Sequence, residues 1–138
     1  MSLEILFKSI EENEEIGRNE PVSEPLIMSA NLELRRAGVV AMPREFWEVL
    51  KKYNGLSHEG NVIFGIGTGT EFFPDLVEVN TRLLQGEDAE CVILGQDDDF
   101  YLIYDEQTKL YRIIDQTDFA EEVRTSDLAY AIAWILKI

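Results

Sequence analysis

A chain with one histidine and one cysteine has few routes to covalent or acid–base chemistry, and these two residues set the first question. His58 sits between Ser57 and Glu59. A Ser-His-Asp set is arithmetically open to this composition, but no strand–turn–helix context exposes a serine nucleophile. The expected place of His58 is an exposed loop, not a base. Cys91 opens the apolar run Cys91-Val-Ile-Leu94 and not an electropositive helix start, where a thiol becomes reactive. One His and one Cys cannot complete a structural zinc site without carboxylate help.

The densest acidic cluster is Asp97-Asp98-Asp99. A calcium loop needs ligands at alternate positions, a glycine and a distal bidentate glutamate, and these are missing. Consecutive aspartates in extended backbone also point to different sides. The cluster therefore reads as a turn of solvated aspartates, with a weak cation site left open if a ligand arrives from elsewhere in the fold. The glycines of Gly65-Ile-Gly67-Thr-Gly69 are one residue too close for the dinucleotide fingerprint, and no Lys-Ser/Thr follows to make a phosphate loop. They read as a flexible turn after a strand. No catalytic residue, cofactor or metal is expected.

Any site must be positioned by the elements around it, and one stretch is clearest. In Met42-Pro-Arg-Glu-Phe-Trp-Glu-Val-Leu-Lys-Lys-Tyr-Asn-Gly55, Pro43 suits a first helical turn. Phe46, Val49, Leu50 and Tyr53 recur at helical spacing, widened by Trp47. Acidic residues come first and lysines last, as the helix dipole favours. Asn54-Gly55 tolerates the left-handed backbone that stops a helix. The segment 43–54 is a helix by every local signal.

This segment resembles the signature helix of the SUKH superfamily, which includes yeast cell-wall regulators and many bacterial immunity proteins. Val92-Ile-Leu-Gly95, Phe100-Tyr-Leu-Ile-Tyr104 and Tyr111-Arg-Ile-Ile114, with Asp118-Phe119 beyond, resemble the strand ladder of its YrhA-like branch. The likeness runs from about Met42 to the C-terminus and rests on Pro43, Phe46, Leu50, Tyr53, Asn54 and Gly55, all structural. Many members carry Asn-Gly-Gly where this chain has Asn54-Gly55-Leu56, so the following loop departs from the pattern. The resemblance implies a binding protein that neutralises a toxin, often a nuclease, or an intracellular regulator or scaffold.

The remaining elements follow from periodicity. Ser2 caps a first helix with Leu3, Leu6, Phe7 and Ile10 on its inner face. Glu11, Glu12, Glu14 and Glu15 crowd its end, against the dipole. Gly17 to Pro25 has the composition of a linker. A second helix begins near Pro25, buries Ile27, Ala30, Leu34 and Ala37, and stops at Gly38. After a short β run at Val62–Phe64, a helix enters at Pro74 with Leu76, Val79 or Asn80, and Leu83 inward, and ends at Gly86. Three strand runs, Cys91–Leu94, Phe100–Tyr104 and Leu110–Ile114, are joined by loops too short for parallel crossovers and pair as an antiparallel meander. From Ser126 onward, Leu128, Ala131, Ile132 and Ile135 line one face of a C-terminal helix.

These elements predict one α+β domain over residues 1–138, with an antiparallel sheet of at least four strands covered by N-terminal helices, the 43–54 helix and a C-terminal helix. Its 46% hydrophobic content is enough for a real core. A net charge of −15 repels nucleic-acid phosphates and favours a basic protein partner. No apolar leader or membrane-length run is present, and an unpaired cysteine fits a reducing compartment, so the chain reads as cytoplasmic. The partner contact is placed at Asp97, Asp98 and Asp99, with the acidic connector Glu87, Asp88 and Glu90 next, on loops taken to project from a sheet edge. Oligomeric state has no signal here. A small hydrolase or metal-dependent enzyme built on His58 or the aspartates is the competing class.

Overall fold

Ser2 sits where the first turn of a helix leaves its N–H groups unpaired, and its Oγ accepts the Ile5 N–H at 3.2 Å. That cap opens α1 (Leu3–Glu11), which buries Leu6 and Ile10. In the computed structural model, which describes residues 1–84 and 90–138, four more helices follow: α2 (Glu24–Arg36), α3 (Arg44–Leu50), α4 (Leu76–Leu84) and α5 (Leu128–Leu136). Seven strands, β1 (Gly17–Arg18), β2 (Leu56–His58), β3 (Asn61–Ile63), β4 (Cys91–Gln96), β5 (Phe100–Asp105), β6 (Leu110–Asp115) and β7 (Glu121–Thr125), form one sheet. Their spatial order is their chain order, and every neighbouring pair is antiparallel. The fold is the α+β arrangement that the strand spacing predicts.

The apolar alternation of the central strands decides where α5 lies. Val92 pairs Tyr104, Leu102 pairs Ile113 and Tyr104 pairs Tyr111, so these side chains share one face. The α5 residues Leu128, Ala131, Ile132 and Ile135 are buried, and Trp134 meets Phe100 edge-on, 5.2 Å between ring centres. On the opposite face Cys91, Ile93, Tyr101, Ile103 and Ile114 line an apolar groove, with Leu83, Leu84 and Phe119 along its rim.

The organising helix behaves as its pattern demands. Phe46 and Leu50 are fully buried, and Val49, Trp47 and Tyr53 nearly so. Tyr53 stacks edge-on against Phe7 of α1, and Glu45 accepts the Tyr111 hydroxyl at 3.0 Å. Burial and that carboxylate push the Tyr111 phenol well above its ordinary range. Pro43 is the residue before the helix, with extended backbone. α3 ends at Leu50, short of the predicted span 43–54, because the Leu50 carbonyl and the Asn54 N–H that would continue it bond Val22 and Glu20 instead. Asn54-Gly55, beyond its end, has another task. The Asn54 amide donates to the Ile66 carbonyl and accepts the Ile66 N–H, both at 2.8 Å, and Gly55 adopts φ +109°. Gly65 crosses so close to this latch that a Cβ there would stand 2.4 Å from the Asn54 carbonyl oxygen. The glycine-rich stretch after β3 is thus held against Asn54 and is not a loose turn.

Three local features, β1, β7 and the place of Leu83, differ from the sequence reading. The segment expected as a linker contains β1, and its backbone bonds the end of α3 through Val22 N–H to Leu50 and Asn54 N–H to Glu20. Periodicity cannot register a strand of two residues. β7, Glu121-Glu-Val-Arg-Thr125, is an edge strand whose exposed side carries charge, so it lacks an apolar signature. Asn80, one of two candidates for an inward position on α4, is fully buried. Its amide donates to the Leu76 and Ile93 carbonyls and accepts the Ile93 N–H at 2.7 Å. The paired register of β3 on β4 covers only Gly95 and Gln96, and Asn80 supplies the missing ladder partner at Ile93. Leu83, expected inward, is 38% exposed.

Candidate functional site

An aspartate at the start of a tight turn can bond the backbone two and three residues on. Asp97 does so between β4 and β5: its Oδ1 accepts the Asp99 N–H at 2.8 Å and the Phe100 N–H at 2.7 Å. Its Oδ2 accepts the Lys137 ammonium at 2.7 Å, pinning the end of α5. Burial opposes the Asp97 charge, but the Lys137 bond and the two backbone N–H groups outweigh it and hold the carboxyl below the usual aspartate range. Asp97 is 6% exposed. It is therefore not one of three solvated charges; only Asp98 and Asp99 are exposed. Nor does the turn project from a sheet edge, because β4 and β5 are interior strands.

The neighbouring β6–β7 turn is bonded to this one. Gln116 N–H donates to the Asp99 carbonyl at 2.9 Å, and the Gln116 side-chain amide donates to the Asp97 carbonyl at 2.8 Å. Asp115 Oδ1 accepts the Thr117 and Asp118 N–H groups, and Asp118 accepts that of Ala120. The chain then passes through Phe119 at φ +60°, leaving that ring 62% exposed. The paired turns thus present Asp98, Asp99 and Asp118 together with an exposed aromatic side chain. In the sequence Asp118 and Phe119 stand out only as the pair that follows the Tyr111–Ile114 strand in the family resemblance; an apolar ring beside an Asx turn was the available signal.

Register places two more segments at this end of the sheet. His58 pairs with Asn61, and Val62 with Gln96, so the Glu59-Gly60 turn lies on the side of Asp97. Gly17 pairs with Ser57, which brings Glu15 there too. His58 is not an exposed loop residue. It is the last residue of β2, 7% exposed, with Nδ1 donating to the Leu136 carbonyl at the end of α5 over 2.6 Å. The sequence offered no strand signal here, since Leu56-Ser-His58 is short and mixed. A ring nitrogen of His58 and carboxylate oxygens of Glu15 and Glu59 lie within 4.8 Å of one another.

The second group of acidic candidates lies elsewhere. Glu90 is exposed immediately before β4, and its carbonyl accepts the Glu106 N–H at 2.8 Å. It stands at the opposite end of a six-residue strand, about 20 Å from the aspartate turn. The fold does not bring Glu90 and Asp97–Asp99 into one site. Glu87 and Asp88 lie outside the described residues. Cys91 is half-buried; burial pushes its thiol up and Asp105 adds to the effect, only partly offset by Arg112, so it is a poor nucleophile. Among the described residues no helix is long and apolar enough to cross a membrane. No protein-family model matches the chain, and no curated protein matches it.

Proposed function

We propose that this protein acts by stoichiometric binding to a basic protein, through the end of the sheet that carries Asp98, Asp99, Asp118 and Phe119, and that it turns over no substrate. The observation that carries the reading is the pairing of an exposed aromatic side chain with exposed carboxylates on two turns bonded to each other. Protein interfaces draw affinity from such an aromatic anchor and draw rate and partner choice from the charges around it. The turns are rigid, since Asp97, Asp115 and Gln116 consume their own polar groups in holding them. Little ordering is then required on binding.

The partner class follows from charge and from the SUKH resemblance. A net charge of −15 suits a protein that presents a cationic groove, and a nuclease toxin presents one for its substrate. The proposed activity is that of an immunity protein that occupies this groove and excludes nucleic acid. The test is direct: toxin domains encoded beside this gene are co-expressed with it, and their activity is measured with and without equimolar protein. Neutralisation at one-to-one stoichiometry that fails for Phe119→Ala with Asp98→Asn and Asp99→Asn supports the reading. Catalytic turnover of a substrate lost on His58→Gln would replace it with an enzymatic one.

A further inference from the structure

We propose that Glu15, His58 and Glu59 bind one zinc ion, which ties the segment before β1 to the β2–β3 turn and, through His58, to the end of α5. The proposal rests on the geometry of these three residues and is independent of the partner reading. Their potential ligand atoms lie within 4.8 Å of one another, although Glu15 is remote in sequence from the other two.

The histidine decides the chemistry. Its side chain is almost wholly buried, and its Nδ1 faces the Leu136 carbonyl at 2.6 Å. A carbonyl can only accept, so Nδ1 carries the hydrogen, and in the neutral ring Nε2 keeps its lone pair. Among the described residues no hydrogen bond is made to Nε2. A histidine held through one nitrogen by a backbone carbonyl, with the other nitrogen free, is the usual second-shell arrangement around a metal ligand. It fixes the ring before the ion arrives. Glu15 and Glu59 are exposed, and among the described residues neither is paired with a lysine or arginine. The two carboxylates and the neutral imidazole together match the charge of a divalent ion.

One nitrogen and two oxygens suit zinc better than calcium or magnesium, which prefer all-oxygen sets. Zinc–ligand bonds of about 2.0–2.2 Å require the donor atoms to draw closer than their present spacing. The exposed glutamate side chains can make that change while the buried ring stays in place. Three protein ligands leave a fourth position for water. The carboxylate help that the sequence lacked beside its single histidine is supplied by the fold.

The test uses chelator-treated full-length protein titrated with zinc chloride by calorimetry, with magnesium chloride in parallel. The expected result is one zinc per chain, no saturable magnesium binding, and a thermal midpoint raised by about 5 °C at saturating zinc. Because the chain has a single histidine, its imidazole C–H resonances report the ligand without assignment, and they should shift in step with the titration. Glu15→Gln and Glu59→Gln, both exposed and isosteric, should each weaken binding at least tenfold without changing the midpoint of the metal-free protein. Cys91→Ser should leave binding unchanged. Absence of stoichiometric zinc binding, undiminished binding in the double glutamine variant, an unshifted histidine signal or loss of binding in Cys91→Ser would each overturn the proposal.

Discussion

Asp97 closes a hairpin turn with one carboxylate oxygen and holds the end of α5 with the other. The two jobs are separable by substitution. Asn at this position keeps an acceptor for the Asp99 and Phe100 N–H groups but loses the charge that binds Lys137; Ala loses both. Asp97→Ala should therefore cost about 1–2 kcal/mol, since two partly buried N–H groups lose their acceptor and Lys137 its counter-charge, and Asp97→Asn clearly less, in urea unfolding at neutral pH. The pH dependence has a definite sign. The folded carboxyl lies below its ordinary value of 3.8, so its contribution is complete above that value and is lost as pH falls through the lower folded range. The stability difference between native protein and Asp97→Asn should shrink across that acid window and stay constant above it. A difference that grew on acidification would contradict the assignment. Asn54 belongs to the same scale: Asn54→Ala orphans the N–H and the carbonyl of Ile66 and should cost about 2 kcal/mol or more by the same measurement.

At the scale of elements, α3 and α4 stabilise the sheet by different physics. α3 inserts an apolar face, and Phe46 and Leu50 are fully buried within it. Phe46→Ala should cost about 3–5 kcal/mol through lost transfer energy and the cavity left behind, read as a lower urea midpoint with an unchanged denaturant slope. A variant that unfolded at the native midpoint would remove Phe46 from the core. α4 contributes a polar side chain, Asn80, that stands in for a strand partner of β4. Asn80→Leu preserves volume and adds apolar surface, yet should still destabilise by about 2 kcal/mol or more, because the Ile93 N–H and carbonyl would be left dry and unpaired. Amide exchange at Ile93 should rise in that variant more than at Ile103, whose backbone partners are untouched. The two edge strands are protected differently: β1 is only two residues long, and β7 carries Glu121, Glu122 and Arg124.

For the whole molecule, the decisive property is that the antiparallel register collects acidic turns from β2–β3, β4–β5 and β6–β7 at one end of the sheet. Charges grouped in this way steer a cationic partner over distances set by the Debye length. With the cognate partner in hand, Asp98→Asn, Asp99→Asn and Asp118→Asn together should slow association several-fold at low salt, and the gap from the native protein should close as salt is raised. Phe119→Ala should act mainly on dissociation. Stopped-flow mixing at a series of ionic strengths separates the two effects. An association rate indifferent to the three substitutions would move the contact surface elsewhere without touching the fold.

What the sequence determined by itself were the features carried by local periodicity. The apolar stripe of 43–54, the Ser2 cap, the faces of α2 and α5 and the three-strand meander depend on residues a few positions apart, whose burial is dictated by the repeat of the helix or strand they occupy. The positive backbone angle at Asn54-Gly55 was legible for the same reason. Tertiary structure decided the rest. Whether Asp97 is a solvated charge or a buried anchor depends on Lys137, and whether His58 is a loop residue or a strand end under α5 depends on Leu136. Both partners lie far along the chain, and no spacing rule connects them. The same holds for the division of the acidic residues between two ends of β4, and for the gathering of Glu15, His58 and Glu59 at one of them. Long-range pairing fixes where a side chain finds its counter-charge or its acceptor, and a buried polar group takes its role from that partner more than from its neighbours in sequence.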